Sequence, residues 1–135
     1  MNEQKLTAHG TFILRITLGI VLLAHVALKV FVFTIPGTVG FFASLGLPAA
    51  AAYLTMFGEF FGGLGLLVGF RTRLVALATL PILFGAIWAH SGNGWVFNAP
   101  NGGWEYPLFL ALAAVVLAFL GAGSFSWDKA REASV

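Results

Sequence analysis

His25, Lys29 and Glu59 are the residues of this 135-residue chain whose types and placement could do chemistry. Glu59 lies near the centre of an otherwise uncharged run from Leu47 to Phe70. At 1.5 Å per residue, that run can cross a hydrocarbon core of about 30 Å. A carboxylate placed there costs roughly 2.5–3.5 kcal/mol, so it needs a partner, a proton or a cavity. His25 and Lys29 share the first apolar run with Arg15. On a helix, Thr11, Arg15, His25 and Lys29 fall within an arc of about 80°, one polar face that must turn into the protein. Arg15 is expected to snorkel to the nearer membrane surface. Two readings of Glu59 stand side by side. It pairs with Lys29 and holds two helices in register, or it joins His25 at a polar pocket for a small or amphipathic ligand. In the second case His25 would pass protons to that ligand, imidazole being the side chain suited to proton exchange under physiological conditions.

His90 and Glu105 fall at the far ends of the next two apolar runs, joined by a loop carrying Asn93, Asn98 and Asn101. Each alone reads as an interfacial cap or a loop tie. With His25, Lys29 and Glu59 they could frame the mouth of one pocket. Bis-histidine haem is disfavoured, because His25 lies near mid-membrane and His90 near the surface. No metal is expected either: Lys29 would repel a cation held by His25, Glu59, His90 and Glu105, and no spacing of the chain's histidines suits a metal. On the second apolar run, Gly58, Gly62, Gly65 and Gly69 share a stripe within about 60°. Such small residues admit a close helix neighbour, inside the bundle or across a homodimer seam.

These residues need elements to hold them, and composition says what kind. Hydrophobic residues make up 59% and charged residues 9%, against about 25% charged in soluble domains. The chain reads as one integral membrane domain over residues 1–135. A net charge of +2 leaves no nucleic-acid footprint. The absence of cysteine excludes disulfides, iron–sulfur ligation and covalent haem attachment. The first apolar stretch has no clean cleavage site and reads as a retained span.

The expected spans are about 12–33, 47–70, 73–90 and 105–121, with a kink at Pro81 and Pro107 in a first helical turn. Lys5, Arg15, Arg71, Arg73, Lys129 and Arg131 fall at one side of such a four-span arrangement, and the loops Thr34–Gly46 and Ser91–Trp104 carry no charge. The positive-inside rule then makes the fold all-α: a four-helix transmembrane bundle with both termini cytoplasmic. Residues Thr38–Leu47 suggest a short interfacial helix, and Trp88, Trp95 and Trp104 an outer aromatic belt.

The run Gly58-Glu59-Phe60-Phe61-Gly62-Gly63-Leu64-Gly65 through Arg71-Thr72-Arg73, the later Asn101-Gly102-Gly103-Trp104-Glu105-Tyr106-Pro107 and the closing Gly121-Ala122-Gly123-Ser124-Phe125-Ser126-Trp127-Asp128 resemble the DoxX family. The likeness covers nearly the whole chain and rests on the order and spacing of these motifs. It implies a multi-pass protein of the bacterial inner membrane, related to subunits of a thiosulfate:quinone oxidoreductase. The family's closing motif often carries Tyr-Ser-Leu-Asp; here Phe125 lacks the phenol hydroxyl, which leaves Asp128 a structural role capping a short helix. On this basis the expected function is a quinone-interacting subunit or enzyme of membrane oxidoreduction. His25 and Glu59 would be its catalytic residues, with Lys29, Trp88, His90 and Glu105 binding ligand, and Phe60, Phe61 and Phe84 could supply apolar walls. Quinone is the expected cofactor, with nothing attached covalently. The expected partners are the lipid bilayer and either further copies or a larger membrane complex. The alternative is a non-catalytic accessory subunit that docks such a complex.

Overall fold

The computed structural model describes residues 1–134, and among them the secondary structure is entirely helical. Helix α1 spans Glu3–Ala27 and continues as a π-helical turn over Leu28–Val32. It begins well before the apolar run, because Asn2 Oδ1 caps it by accepting from Lys5 N at 3.0 Å, a local signal that hydropathy does not register. A short α2 (Ile35–Ser44) follows, then α3 (Ala49–Val68), α4 (Thr72–His90), α5 (Glu105–Leu120) and a terminal turn of helix α6 (Trp127–Glu132). Helix α2 starts three residues before the stretch expected from sequence, with Thr34 Oγ1 accepting from Gly37 N. Helix α4 runs unbroken across Pro81.

Helix α1 packs on α3, α3 on α4, α4 on α5, and α5 returns to α1. Leu18, Leu22, Leu66, Ala76, Leu83, Leu110, Ala111, Ala114 and Leu117 fill the centre. Large apolar side chains such as Phe31, Leu54, Phe61, Phe109 and Phe119 cover the outside, the inverse of a water-soluble surface. Three helices, Glu3–Val32, Ala49–Val68 and Thr72–Asn93, are long and apolar enough to cross a membrane. Helix α5 has 16 residues, fewer than the roughly 20 of an upright crossing. Gly121 ends it in a conformation with φ of 89°.

Glycine allows the close helix approaches. A Cβ at Gly63 would come within 2.7 Å of Leu23 and 3.0 Å of the Gly19 carbonyl, so α1 and α3 touch along their backbones. Gly58, Gly62 and Gly65 face Ile82, Thr79 and Val75 of α4. That stripe is filled within the chain and is not a free seam for a second copy. Gly69 has φ of 72°, and a Cβ there would lie 2.5 Å from Ser126 Cβ and 2.8 Å from Arg15 Nη1. Gly69→Ala is therefore expected to lose about 2–4 kcal/mol, combining left-handed strain with overpacking. Reduced accumulation and a lower melting temperature in detergent would register the loss. Wild-type thermal stability would contradict this packing.

Candidate functional site

Both chain ends and the α3–α4 turn meet at one end of the bundle, and Arg15 holds them there. Its side chain is 0% exposed. Nη1 donates to the carbonyls of Leu66 and Leu67 at 2.6 and 2.8 Å. Nε donates to Ala122 O at 2.8 Å, and Nη2 to Ser124 O and Phe125 O at 3.1 and 2.9 Å. Arg15 thus does not snorkel. It neutralises the negative end of the α3 dipole and fastens the segment after α5. Arg73 acts similarly, with Nη1 donating to Ala118 O and Phe119 O at the last turn of α5. Asp128 accepts from the backbone of Arg71 and Thr72 at 2.7 and 2.9 Å. It therefore caps the start of α4 rather than its own helix, whose cap is Ser126.

The other buried charged residue, Glu59, lies in the half of the bundle away from the termini. Lys29 Nζ donates to Glu59 Oε1 at 2.7 Å, with the two side chains 18% and 7% exposed. Glu59 Oε2 is buried and, among the described residues, accepts no hydrogen bond. An acceptor left this way costs about 1–3 kcal/mol or more. Lys29 itself sits in the π-helical turn, and its carbonyl accepts from Thr38 Oγ1 of α2 at 3.0 Å. Such turns interrupt helices frequently at functional sites. This one presents the Lys29 side chain to α3 while α2 holds its backbone.

His25 lies one turn before Lys29, but among the described residues it makes no hydrogen bond with the Glu59 carboxylate. Its Nδ1 is 2.8 Å from Val21 O. A carbonyl only accepts, so Nδ1 carries the proton and Nε2 of the neutral ring is the acceptor. The ring stacks on Tyr106 of α5, centroids 6.0 Å apart.

The remaining expected site residues scatter. His90 Nδ1 is bonded to Ala86 O at the end of α4. Glu105 Oε1 accepts from Phe97 N at 3.0 Å and ties the loop before α5. Trp88 is 55% exposed and faces outward, as do Phe60, Phe61 and Phe84, so these aromatic walls surround the bundle rather than a pocket within it. The loop itself is ordered by Asn93 Nδ2, donating to Asn101 O and Gly102 O, and by an edge-to-face pair of Trp95 and Trp104. A cavity of about 400 Å³ opens beside it, lined by Trp95, Phe97, Glu105, Tyr106, Phe109 and neighbours. Glu105 belongs to this cavity; His90 and Trp88 are not among its lining residues. Among the described residues, no three His, Asp or Glu side chains gather as a metal site.

Sequence reasoning missed Arg15 as a clamp and Tyr106 as the partner of His25. The left-handed Gly69 directly after α3 was the available signal for the first, since a helix ending there leaves carbonyls that need donors.

The DoxX family model matches residues 10–92. The chain is also 33% identical over 120 residues to a Bacillus subtilis (strain 168) protein named "Putative oxidoreductase CatD", covering 88% of this chain and 84% of the relative. No solved structure matches the chain significantly.

Proposed function

The chain belongs to the DoxX family of membrane proteins, and from that premise we propose that it is a small subunit or enzyme of quinone-linked oxidoreduction. The family and the relative's name fit a membrane redox-related role. The observation that carries the finer reading is Glu59 Oε2, a buried acceptor that among the described residues has no donor, beside the Lys29 ammonium. A quinone head group alternates between carbonyl and hydroxyl oxygens, and so suits a site offering both an acceptor and a donor. When bound, it would supply two-electron, two-proton redox chemistry.

The chain's own residues have distinct parts in this reading. Glu59 Oε2 accepts a hydrogen bond from a hydroxyl. Lys29 holds Oε1, so the free oxygen keeps its direction, and its remaining N–H groups can donate to a carbonyl. His25, its tautomer fixed by Val21 O, offers Nε2 to receive a proton. The lipid-facing flank and the aromatic cavity beside Tyr106 give an isoprenoid molecule apolar surroundings. Quantifying quinone in an organic extract of protein gently purified from native membrane tests this. Near-stoichiometric quinone in the wild type, and its depletion in Glu59→Gln, is the expected result. Equal, trace amounts in both would overturn the reading.

A second reading has its own observation: Lys29 and Glu59 already form a closed pair, as a purely structural tie between α1 and α3 would. An accessory subunit of a larger complex would then need no ligand, and the same extract separates the two readings.

For the membrane arrangement we propose four spans in a bacterial inner membrane, with α5 as the fourth and both termini cytoplasmic. The supporting pattern is Arg15, Arg71, Arg73, Lys129 and Arg131 at the end that bears the termini, against uncharged loops at the other. In intact cells, Asn98→Cys is expected to react with an impermeant maleimide, and Ser134→Cys only after lysis. The reverse pattern would invert the topology.

A further inference from the structure

A second cavity lies at the end of the bundle that bears the termini, and Glu59 is not among the residues that line it. It has a volume of about 810 Å³ and lies between the start of α4, the end of α5 and α6. Four cations line it, Arg71, Arg73, Lys129 and Arg131, against the carboxylates of Asp128 and Glu132. Both Asp128 oxygens are committed to backbone N–H groups of α4. Among the described residues, the side chains of Arg71, Lys129 and Arg131 form no ion pair, and Arg73 donates only to carbonyls. The cationic surplus therefore has no paired anion among the described residues.

The cavity's other wall is apolar. Leu74 and Leu120 line it and are both exposed, and Phe119 and Trp127, next in the chain to the lining residues Leu120 and Asp128, are exposed as well. A free phosphate would meet only the cations. A molecule with an anionic head and hydrocarbon tails would meet both parts, with tails along Leu74, Leu120 and Phe119 and Trp127 at the interface. We propose that this cavity binds the phosphodiester head group of an anionic phospholipid, seated by Arg71, Lys129 and Arg131 over the capped ends of α4 and α5. The site is independent of the redox reading and needs only that the helices lie in a bilayer. Basic pockets at the inner faces of membrane proteins hold such head groups by the same charge logic.

Native mass spectrometry of the full chain tests it, using dioleoylphosphatidylglycerol, dioleoylphosphatidylcholine and inorganic phosphate as probes. The expected result is one retained phosphatidylglycerol, preferred over phosphatidylcholine by on the order of tenfold. Lys129→Ala/Arg131→Ala should abolish that preference with unchanged circular dichroism, since both side chains are exposed on the short α6. Lys5→Ala, which removes a charge from the same end of the bundle but outside the cavity, should leave it intact. Equal retention of the two lipids would overturn the proposal. So would equal losses in the Lys5 and α6 variants, which would mean diffuse surface attraction only. Displacement of the lipid by millimolar inorganic phosphate would assign the cavity to free phosphate instead.

Discussion

Arg15→Ala is expected to prevent the chain from accumulating in a folded form. Five backbone carbonyls accept from this one guanidinium. A hydrogen bond from a charged donor contributes about 1.5–3 kcal/mol, and an acceptor left buried without one costs about 1–3. These values do not add for a shared group. Even half their sum exceeds about 4 kcal/mol, a large part of the 5–15 that holds a typical domain together. Water entering from the nearby membrane surface would relieve some carbonyls, but not the loss of the link between α1, α3 and the segment after α5. Arg15→Lys should recover little, because an ammonium has three donors and no planar fork to span five carbonyls. Fluorescence-detected gel filtration of tagged variants is the measurement. Wild-type elution of Arg15→Ala would mean that the clamp is dispensable.

Breaking the Lys29–Glu59 pair from one side should be the second large effect. Removing one partner of a buried ion pair costs about 3–5 kcal/mol, because the other charge is left uncompensated. Lys29→Met and Glu59→Leu are each expected to lose stability on that scale. Glu59→Ala should do the same, and Glu59→Gln less, since an amide keeps the shape and one acceptor oxygen for Lys29. The double variant Lys29→Met/Glu59→Leu should recover most of the loss, as apolar pairs of similar volume often replace buried ion pairs at little cost. Thermal unfolding in one detergent resolves this cycle. If the double variant loses the sum of the single losses, Lys29 and Glu59 are stabilised by other partners and the pair is incidental.

The long apolar helices and the depth of Glu59 were legible because hydropathy sums over neighbours in the chain. Placing Lys29 opposite Glu59 needed only helix rise and an antiparallel connection. Arg15 was not legible as a clamp, because its acceptors are backbone carbonyls up to 110 residues away, and a carbonyl carries no residue identity. Asp128 misled for a related reason. Its place in α6 suggests a cap for that helix, yet the chain end folds back and presents it to α4, 56 and 57 residues earlier. Trp88 and the phenylalanines of α3 were ambiguous by type, since an aromatic ring suits a ligand wall and a lipid-facing surface equally.

The double variant also separates stability from binding, and so gives the most direct test of the site at Glu59. Wild-type and Lys29→Met/Glu59→Leu protein, each reconstituted in nanodiscs, would be titrated with a short-chain quinone while tryptophan fluorescence is followed. The site predicts saturable quenching of the wild type and only linear, unsaturable quenching of an equally stable double variant. Saturation at the same concentration in both proteins would contradict it, since quinone binding would then owe nothing to the free oxygen of Glu59 or to the Lys29 ammonium.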